Sequence, residues 1–278
     1  MKIQTQYLEV NITEHCNLRC FQCSQYSPYV KAGFYDVTQF DLDASRLTEV
    51  YHARSIRLLG GEPLLNKDLP QYVRIVRAKA LAESVGICTN GILLASVSDE
   101  LLQGLDFAYV SLYPLGEKHM QDLQGAAHKC RRLGIPLQIH VRGVIRLMNV
   151  DEPHQEDLSR RIYRACKIAN VWRCHAVHNG YFYKCSRPIF LRQYLERRGI
   201  ECRTNYHETD GVSLHGPRLS GRLKSYLADR RPLRSCSYCL GTSGKEVSWK
   251  RLGEAGEIDG PAAATDWLDM SDLENVYI

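Results

Sequence analysis

Three cysteines, Cys16, Cys20 and Cys23, stand in the run His15-Cys16-Asn17-Leu18-Arg19-Cys20-Phe21-Gln22-Cys23. Thiolates at gaps of three and two residues can wrap one metal centre from a single loop, and they leave a fourth coordination position without a local ligand. Cysteine thiolates are the usual holders of iron–sulfur clusters, and a cluster iron left open can bind and activate a small molecule. The bland alternative is structural zinc, which takes four protein ligands, often as two Cys-x2-4-Cys knuckles. No second knuckle lies near this triplet, although His15 adjoins it. A second motif, Gly60-Gly61-Glu62-Pro63, follows directly on the apolar run Ile56-Arg57-Leu58-Leu59.

The second half of the chain has cysteines of its own. Cys174 and Cys185 flank Gly180, and Cys236-Ser237-Tyr238-Cys239 follows later. Tetrahedral zinc on Cys174, Cys185, Cys236 and Cys239 is chemically adequate, and Cys166 or His175 can stand in for Cys174. For Cys88, Cys130, Cys166 and Cys202 the default is a small buried hydrophobe. Cys202, in a polar segment, is also a candidate hydrogen-atom donor.

The elements that must position these groups read as alternating strands and helices, the pattern of βα units on a parallel sheet. Strands are expected at 8–13, 55–59, 85–89, 107–112, 137–141 and 167–171, with helices over 69–81 and 117–133 among them. Six such units are too few for a closed eight-stranded barrel. Two strands alternate in polarity. Tyr7, Glu9, Asn11 and Thr13 share one face of the first, and Gln138, His140 and Arg142 share one face of the fifth. Successive strand side chains point to opposite faces, so the apolar set should pack on helices and the polar set should line the interior.

Apolar residues make up 44% of the 278 residues, enough for a core, and no apolar stretch is long enough to span a membrane. Met1–Gln6 is not a signal peptide, and eleven cysteines without a secretion signal point to reduced thiols and a cytoplasmic protein. The formal charge of +5 is mild. Positive residues cluster at 192–198 and at Arg230, Arg231 and Arg234, where phosphorylated substrates or nucleic acid could be attracted. A solvated helix face accounts better for 192–198.

The C-x3-C-x2-C loop, followed at this distance by a strand ending in Gly-Gly-Glu-Pro, resembles the radical S-adenosylmethionine (SAM) superfamily. That resemblance implies an α/β fold, a partial (β/α)6 TIM-like barrel with a small C-terminal cluster-binding domain. It implies that Cys16, Cys20 and Cys23 hold a 4Fe-4S cluster whose fourth iron is chelated by SAM. Gly60, Gly61, Glu62 and Pro63 then lie where the family binds the methionyl amino group. Ser111 and Asn90 are the candidates for SAM ribose or carboxylate contacts. The family's aromatic residue before its third cysteine is replaced here by Gln22, so either Phe21 contacts adenine or adenine is held elsewhere. The later cysteines resemble the "twitch" domain, a shortened SPASM extension, which implies a second, auxiliary 4Fe-4S cluster on Cys174, Cys185, Cys236 and Cys239. The implied division is a barrel over 1–170, a twitch-like domain over 171–250 and a tail over 251–278.

The twitch likeness implies chemistry similar to an aminocyclitol dehydrogenase of butirosin biosynthesis and to aminoglycoside epimerases. A 5′-deoxyadenosyl radical would abstract hydrogen from a small sugar-like substrate, with Arg142, His140 or Tyr113 binding it or moving a proton. An electron donor such as flavodoxin or ferredoxin is the implied partner. The runner-up is a peptide-modifying maturase; such enzymes commonly carry a full SPASM domain and an N-terminal peptide-binding domain, whereas this chain begins almost directly at its first strand. A third reading is a zinc-dependent nucleic-acid-binding protein, with arginines on phosphate.

Overall fold

Apolar side chains on alternate positions of five parallel strands organise the first of two units into which the chain divides. The computed structural model describes residues 1–253 and 264–277. Unit 1 comprises residues 1–17, 32–143 and 177–180. Its elements run β1 (Ile3–Thr13), α1 (Val37–Thr48), β2 (Tyr51–Gly60), α2 (Leu69–Ala78), β3 (Ala82–Thr89), α3 (Asp99–Leu102), β4 (Phe107–Leu112), α4 (Glu117–Arg132) and β5 (Leu137–Val141). The strands lie in the order β5-β4-β3-β2-β1, every pairing between them parallel, and the sheet is open as in a partial barrel.

Register explains the two faces. Leu8 pairs with Ile56 and Val10 with Leu58, while Ile56 pairs with Val85 and Leu58 with Ile87. These side chains are fully or almost fully buried, as are Phe40 and Leu47 of α1 and Leu69, Tyr72 and Val76 of α2. Burial of each such side chain is worth about 1.5–3 kcal/mol against exposure, which is why the alternation fixes the register. The intervening positions carry Glu9 opposite Arg57, Cys88 opposite Tyr109 and Ser111 opposite His140. The polar face expected for β1 is therefore shared by its neighbours. The apolar set of β5 departs from expectation: Ile139 is 45% and Val141 76% exposed, because β5 is the end strand in the order.

Unit 2 comprises residues 18–31, 144–176 and 181–278. It contains β6 (Val144–Arg146), α5 (Glu156–Ala165), α6 (Lys167–Asn170), β7 (His175–His178, whose last two residues belong to unit 1), β8 (Tyr181–Tyr183), α7 (Arg187–Arg197), α8 (Tyr206–Asp210), β9 (Val212–Ser213), α9 (Leu219–Ala228) and β10 (Glu246–Ser248). β6 pairs antiparallel with β10, and β8 with β9. One core cluster gathers Tyr26, Tyr183, Phe190, Leu191 and Tyr194, and another gathers Phe21, Leu147, Ile162, Leu240 and Trp267.

The strand expected at 167–171 is instead the short helix α6. Its Ile168 and Val171 carry the β-branched signal, but Asn170 Nδ2 donates to the Tyr163 carbonyl at 2.6 Å and ties the turn to the end of α5. Within the 192–198 run Arg192, Glu196 and Arg197 are on the exposed side of α7, where Arg192 pairs with Glu196 at 2.8 Å, while Tyr194 and Leu195 are on its buried side. Of the 251–278 tail, 254–263 and 278 lie outside the described residues. Among the rest, Trp267 and Leu268 are core residues of unit 2.

Candidate active site

In unit 1 the ends of β1, β2 and β3 converge through backbone. After β2 the chain turns at Gly60, whose φ of +145° is readily open to glycine alone. Gly61 N–H donates to Thr13 O at 2.7 Å and Glu62 N–H to His15 O at 3.0 Å. A Cβ on Gly61 would stand 1.9 Å from the His15 carbonyl oxygen, so this loop can lie against the segment bearing Cys16 only if position 61 has no side chain.

Glu62 is 0% exposed. Its carboxylate accepts from Thr89 Oγ1 (2.6 Å), Asn90 N (2.8 Å) and Leu64 N (3.1 Å). Burial pushes its pKa up to about 7, against the lowering effect of those three donors. Pro63 opens the single 3-10 turn Pro63–Leu65 that presents the Leu64 N–H. Asn90 then reaches across: its Nδ2 donates to Asn17 Oδ1 at 2.7 Å and to Cys16 Sγ at 3.6 Å. Cys16, Gly60, Gly61, Glu62, Pro63 and Asn90 are thus brought together within one unit.

Ser111 is half-buried near the end of β4, in register with His140, and Tyr113 follows that strand. His140 and Arg142 are exposed at the β5 edge, where Arg142 N–H donates to Leu112 O at 2.8 Å. The sequence reading missed Arg57. Its guanidinium lies 3.8 Å from the Tyr7 ring centroid and 5.2 Å from that of Tyr109, and its buried Nε has no hydrogen-bond partner among the described residues. Burial pushes the nearby Cys88 thiol up to about 12, with Arg57 opposing. The signal was available: a cation inside the apolar run 56–59 needs a polar interior to face.

Cys20 and Cys23 belong to unit 2. Cys20 forms a backbone bridge with Arg251, and Cys23 O accepts from Asn149 Nδ2 at 3.3 Å. All three cysteines of the triplet are partly accessible. The Phe21 ring is 6% exposed and packs in the second core cluster with Lys250 Nζ 4.7 Å from its centroid. Gln22, at a φ of +54°, uses its side chain to hold the backbone of Met148 and Asn149. Among the described residues no three His, Cys, Asp or Glu side chains are grouped as ligands of a single ion. A cluster takes one thiolate per iron and so needs wider spacing; three cysteine thiols on one loop suit it by donor chemistry.

A second set of thiols lines one pocket of unit 2: Cys166, Cys185, Cys236 and Cys239. Cys166, not Cys174, completes this set, because it sits where α5 ends and α6 begins, whereas Cys174 lies beyond α6 with its N–H on Ile168 O. His175 is also absent from the lining; burial pushes its imidazole down to about 4. Gly241 N–H donates to Cys239 Sγ at 3.3 Å, and a Cβ on Gly241 would stand 3.3 Å from Cys166 Sγ. Burial pushes the Cys166 thiol up to about 11 and Cys185 and Cys236 further.

Two buried cations border these thiols. Arg187, 5% exposed, donates to Ser24 O at 2.8 Å and to Asn149 Oδ1, and stacks 3.9 Å from the Tyr26 centroid. Its buried Nε has no hydrogen-bond partner among the described residues. Burial works against its charge, yet Tyr26, Cys239 and Cys185 more than offset that and hold its pKa above the ordinary value. Lys184, also 5% exposed, reaches Tyr163 Oη at 3.2 Å and the Asp229 carbonyl. A buried cation needs compensating negative charge. Four thiolates around a metal centre supply it, so the donor set and the field both fit an anionic centre.

The description "Radical SAM superfamily" matches residues 10–181. A probable GTP 3′,8-cyclase of Metallosphaera sedula is 33% identical over 121 residues, covering 42% of this chain and 37% of that protein. A GTP 3′,8-cyclase of Syntrophomonas wolfei is 28% identical over 159 residues, 52% of this chain and 48% of that one. The matches therefore span less than half the length of these relatives. Among solved structures, BtrN in complex with AdoMet and 2-DOIA aligns with a TM-score of 0.44 and 17% identity, over 87% of this chain and 96% of that one. The anSMEcpe enzyme with bound AdoMet aligns with a TM-score of 0.40 and 20% identity, over 49% and 43%.

Proposed function

The chain belongs to the radical SAM superfamily, and from that membership we propose that it abstracts hydrogen from a small, hydroxyl-rich, sugar-like or aminocyclitol-like substrate, giving dehydrogenation or epimerisation. The family implies a 4Fe-4S cluster and SAM, which when bound supply a 5′-deoxyadenosyl radical. In this reading Cys16, Cys20 and Cys23 hold the cluster. Glu62, with Gly60, Gly61 and Pro63, receives the methionyl amino group, and Asn90 ties Glu62 to the Cys16 segment. Ser111 contacts the ribose or carboxylate of SAM. The polar sheet face bearing Tyr7, Glu9 and Arg57, with Tyr113, His140 and Arg142 at the β4–β5 end, binds the substrate. Arginine stays protonated, so Arg142 serves as a binding group and His140 or Tyr113 as the proton acceptor.

The observation that carries the dehydrogenation is the pocket of Cys166, Cys185, Cys236 and Cys239 beside Arg187 and Lys184. Four thiolates close a 4Fe-4S cluster and leave no iron for substrate, which suits one-electron transfer. The relatives' own names favour a second reading, cyclisation of a purine nucleotide, and the sequence identity behind it supports the barrel half. A peptide-modifying maturase is a third. Anaerobic reconstitution followed by SAM and either an aminocyclitol panel or GTP tests them. Release of 5′-deoxyadenosine with an aminocyclitol that loses two hydrogens or inverts one centre supports the proposal. Turnover of GTP alone replaces it with the second reading. Stoichiometric zinc and no iron ends all three.

A further inference from the structure

Arg187 joins the pocket cysteines to the loop that carries Cys20 and Cys23. Its side chain lines the pocket of Cys166, Cys185, Cys236 and Cys239. From there Nη1 donates at 2.8 Å to the carbonyl of Ser24, the residue after Cys23, and Nη2 donates to Asn149 Oδ1. Asn149, 2% exposed, passes the link on, because its Nδ2 donates to Cys23 O at 3.3 Å. A guanidinium carries donors and no acceptor, so it can hold only the oxygen of the Asn149 amide; that choice turns Nδ2 toward Cys23. Gln22 closes the arrangement. Its Oε1 accepts from the Met148 and Asn149 N–H groups at 2.7 and 2.6 Å, and its Nε2 donates to Asn149 O at 3.1 Å. All of these residues belong to unit 2.

The chain's own groups do not complete Arg187. Its two acceptors, a backbone carbonyl and an amide oxygen, are neutral, and its buried Nε has no hydrogen-bond partner among the described residues. A buried cation with an unmade hydrogen bond is costly on both counts. An anionic sulfur centre on the pocket cysteines meets both needs at once. It brings negative charge to the wall that Arg187 forms, and sulfur atoms that accept hydrogen bonds from the surrounding protein.

We propose that binding of a metal centre by the four pocket cysteines fixes Arg187 and, through Ser24 and Asn149, orders the loop that carries Cys20 and Cys23. Arg187 is then a positioning residue for the triplet, acting through the Asn149 amide and the Ser24 carbonyl. The proposal rests on the four-thiolate reading of the pocket. Coupling between two sites is reciprocal, so an ordered loop favours filling of the pocket by the same factor.

Amide hydrogen exchange under anaerobic conditions tests it, since exchange reads local opening segment by segment. The starting protein is the full chain with Cys16→Ala/Cys20→Ala/Cys23→Ala, which leaves the pocket as the site for added iron and sulfide. The reporters are the Met148 and Asn149 amides on Gln22 Oε1, and the Tyr26 amide, which donates to Cys23 O at 3.0 Å. Iron and sulfide should slow exchange at all three by at least tenfold relative to the same protein without metal. With Arg187→Met added, that metal-dependent slowing should fall below twofold at the reporters while the Cys239 and Gly241 amides still slow. Asn149→Ala leaves every pocket-lining side chain in place, and should cut the slowing at Tyr26 to threefold or less. A purely structural Arg187 would speed exchange equally with and without metal; a slowing ratio unchanged in Arg187→Met, or in Asn149→Ala if the first variant does not fold, overturns the proposal. Iron bound by the starting protein with no slowing at the reporters refutes the coupling alone. No bound iron refutes the four-thiolate reading, and the coupling with it.

Discussion

Glu62 offers a test whose size follows from its burial. The carboxyl is fully enclosed and its pKa stands near 7, against 4.5 for the ordinary side chain. A raised folded-state pKa means that the folded chain holds the proton more tightly than the unfolded chain. The resulting stability is fully present below pH 4.5 and is lost as pH rises through 7. Between pH 5 and pH 8 the loss is about 2.5 kcal/mol, with no discount for solvent because the group is buried. Glu62→Gln keeps the shape and removes the titration. It also turns an amide N–H2 toward one of the donors on Thr89, Asn90 or Leu64, a roughly pH-independent cost of about 1–3 kcal/mol. Urea denaturation of the metal-free wild type and variant at both pH values isolates the titration as a double difference. The gap between variant and wild type should narrow by about 2.5 kcal/mol on going from pH 5 to pH 8. A gap that stays constant to within about 0.5 kcal/mol would refute the reasoning that burial of the Glu62 carboxylate outweighs its three hydrogen-bond donors.

Three further outcomes follow from distances and partners. Cys166→Ser should remove the second cluster's share of iron, about four per chain, whereas Cys174→Ser should retain it, as read by iron and sulfide analysis after anaerobic reconstitution. Gly61→Ala forces a Cβ toward His15 O from 1.9 Å. It should cost about 1–3 kcal/mol or more and lower iron loading at the first cluster while circular dichroism still shows folded protein. Arg187→Met removes a buried positive charge beside Cys185 and Cys239. It should make the second centre harder to reduce by more than tenfold, a fall of about 59 mV or more in a redox titration.

The legible part of the fold is where one residue's neighbours in sequence are also its constraints. Period-two burial in Leu8, Val10 and Ile12 marked β1 and its polar face, and β4 and β5 lie within the bounds their pattern predicted. Short apolar segments were harder to read. Residues 167–171 have strand-like composition, yet one side-chain bond from Asn170 to Tyr163 and the end of α5 select a helical turn. The exposed Ile139 and Val141 show the same limit, since a strand's pattern does not say whether it ends the sheet.

The site divides along the same line. The triplet Cys16, Cys20 and Cys23 and the Gly-Gly-Glu-Pro turn were legible in the sequence alone, because three thiols on one loop and a glycine forced by backbone contact are local features. The choice of Cys166 over Cys174, the burial of Arg187 beside thiols, the enclosure of Phe21 and the hydrogen bonds from Arg187 to Ser24 and Asn149 were decided only by tertiary structure. Each depends on which side of a helix or loop faces which distant segment. Long-range packing sets that direction, and spacing along the chain does not.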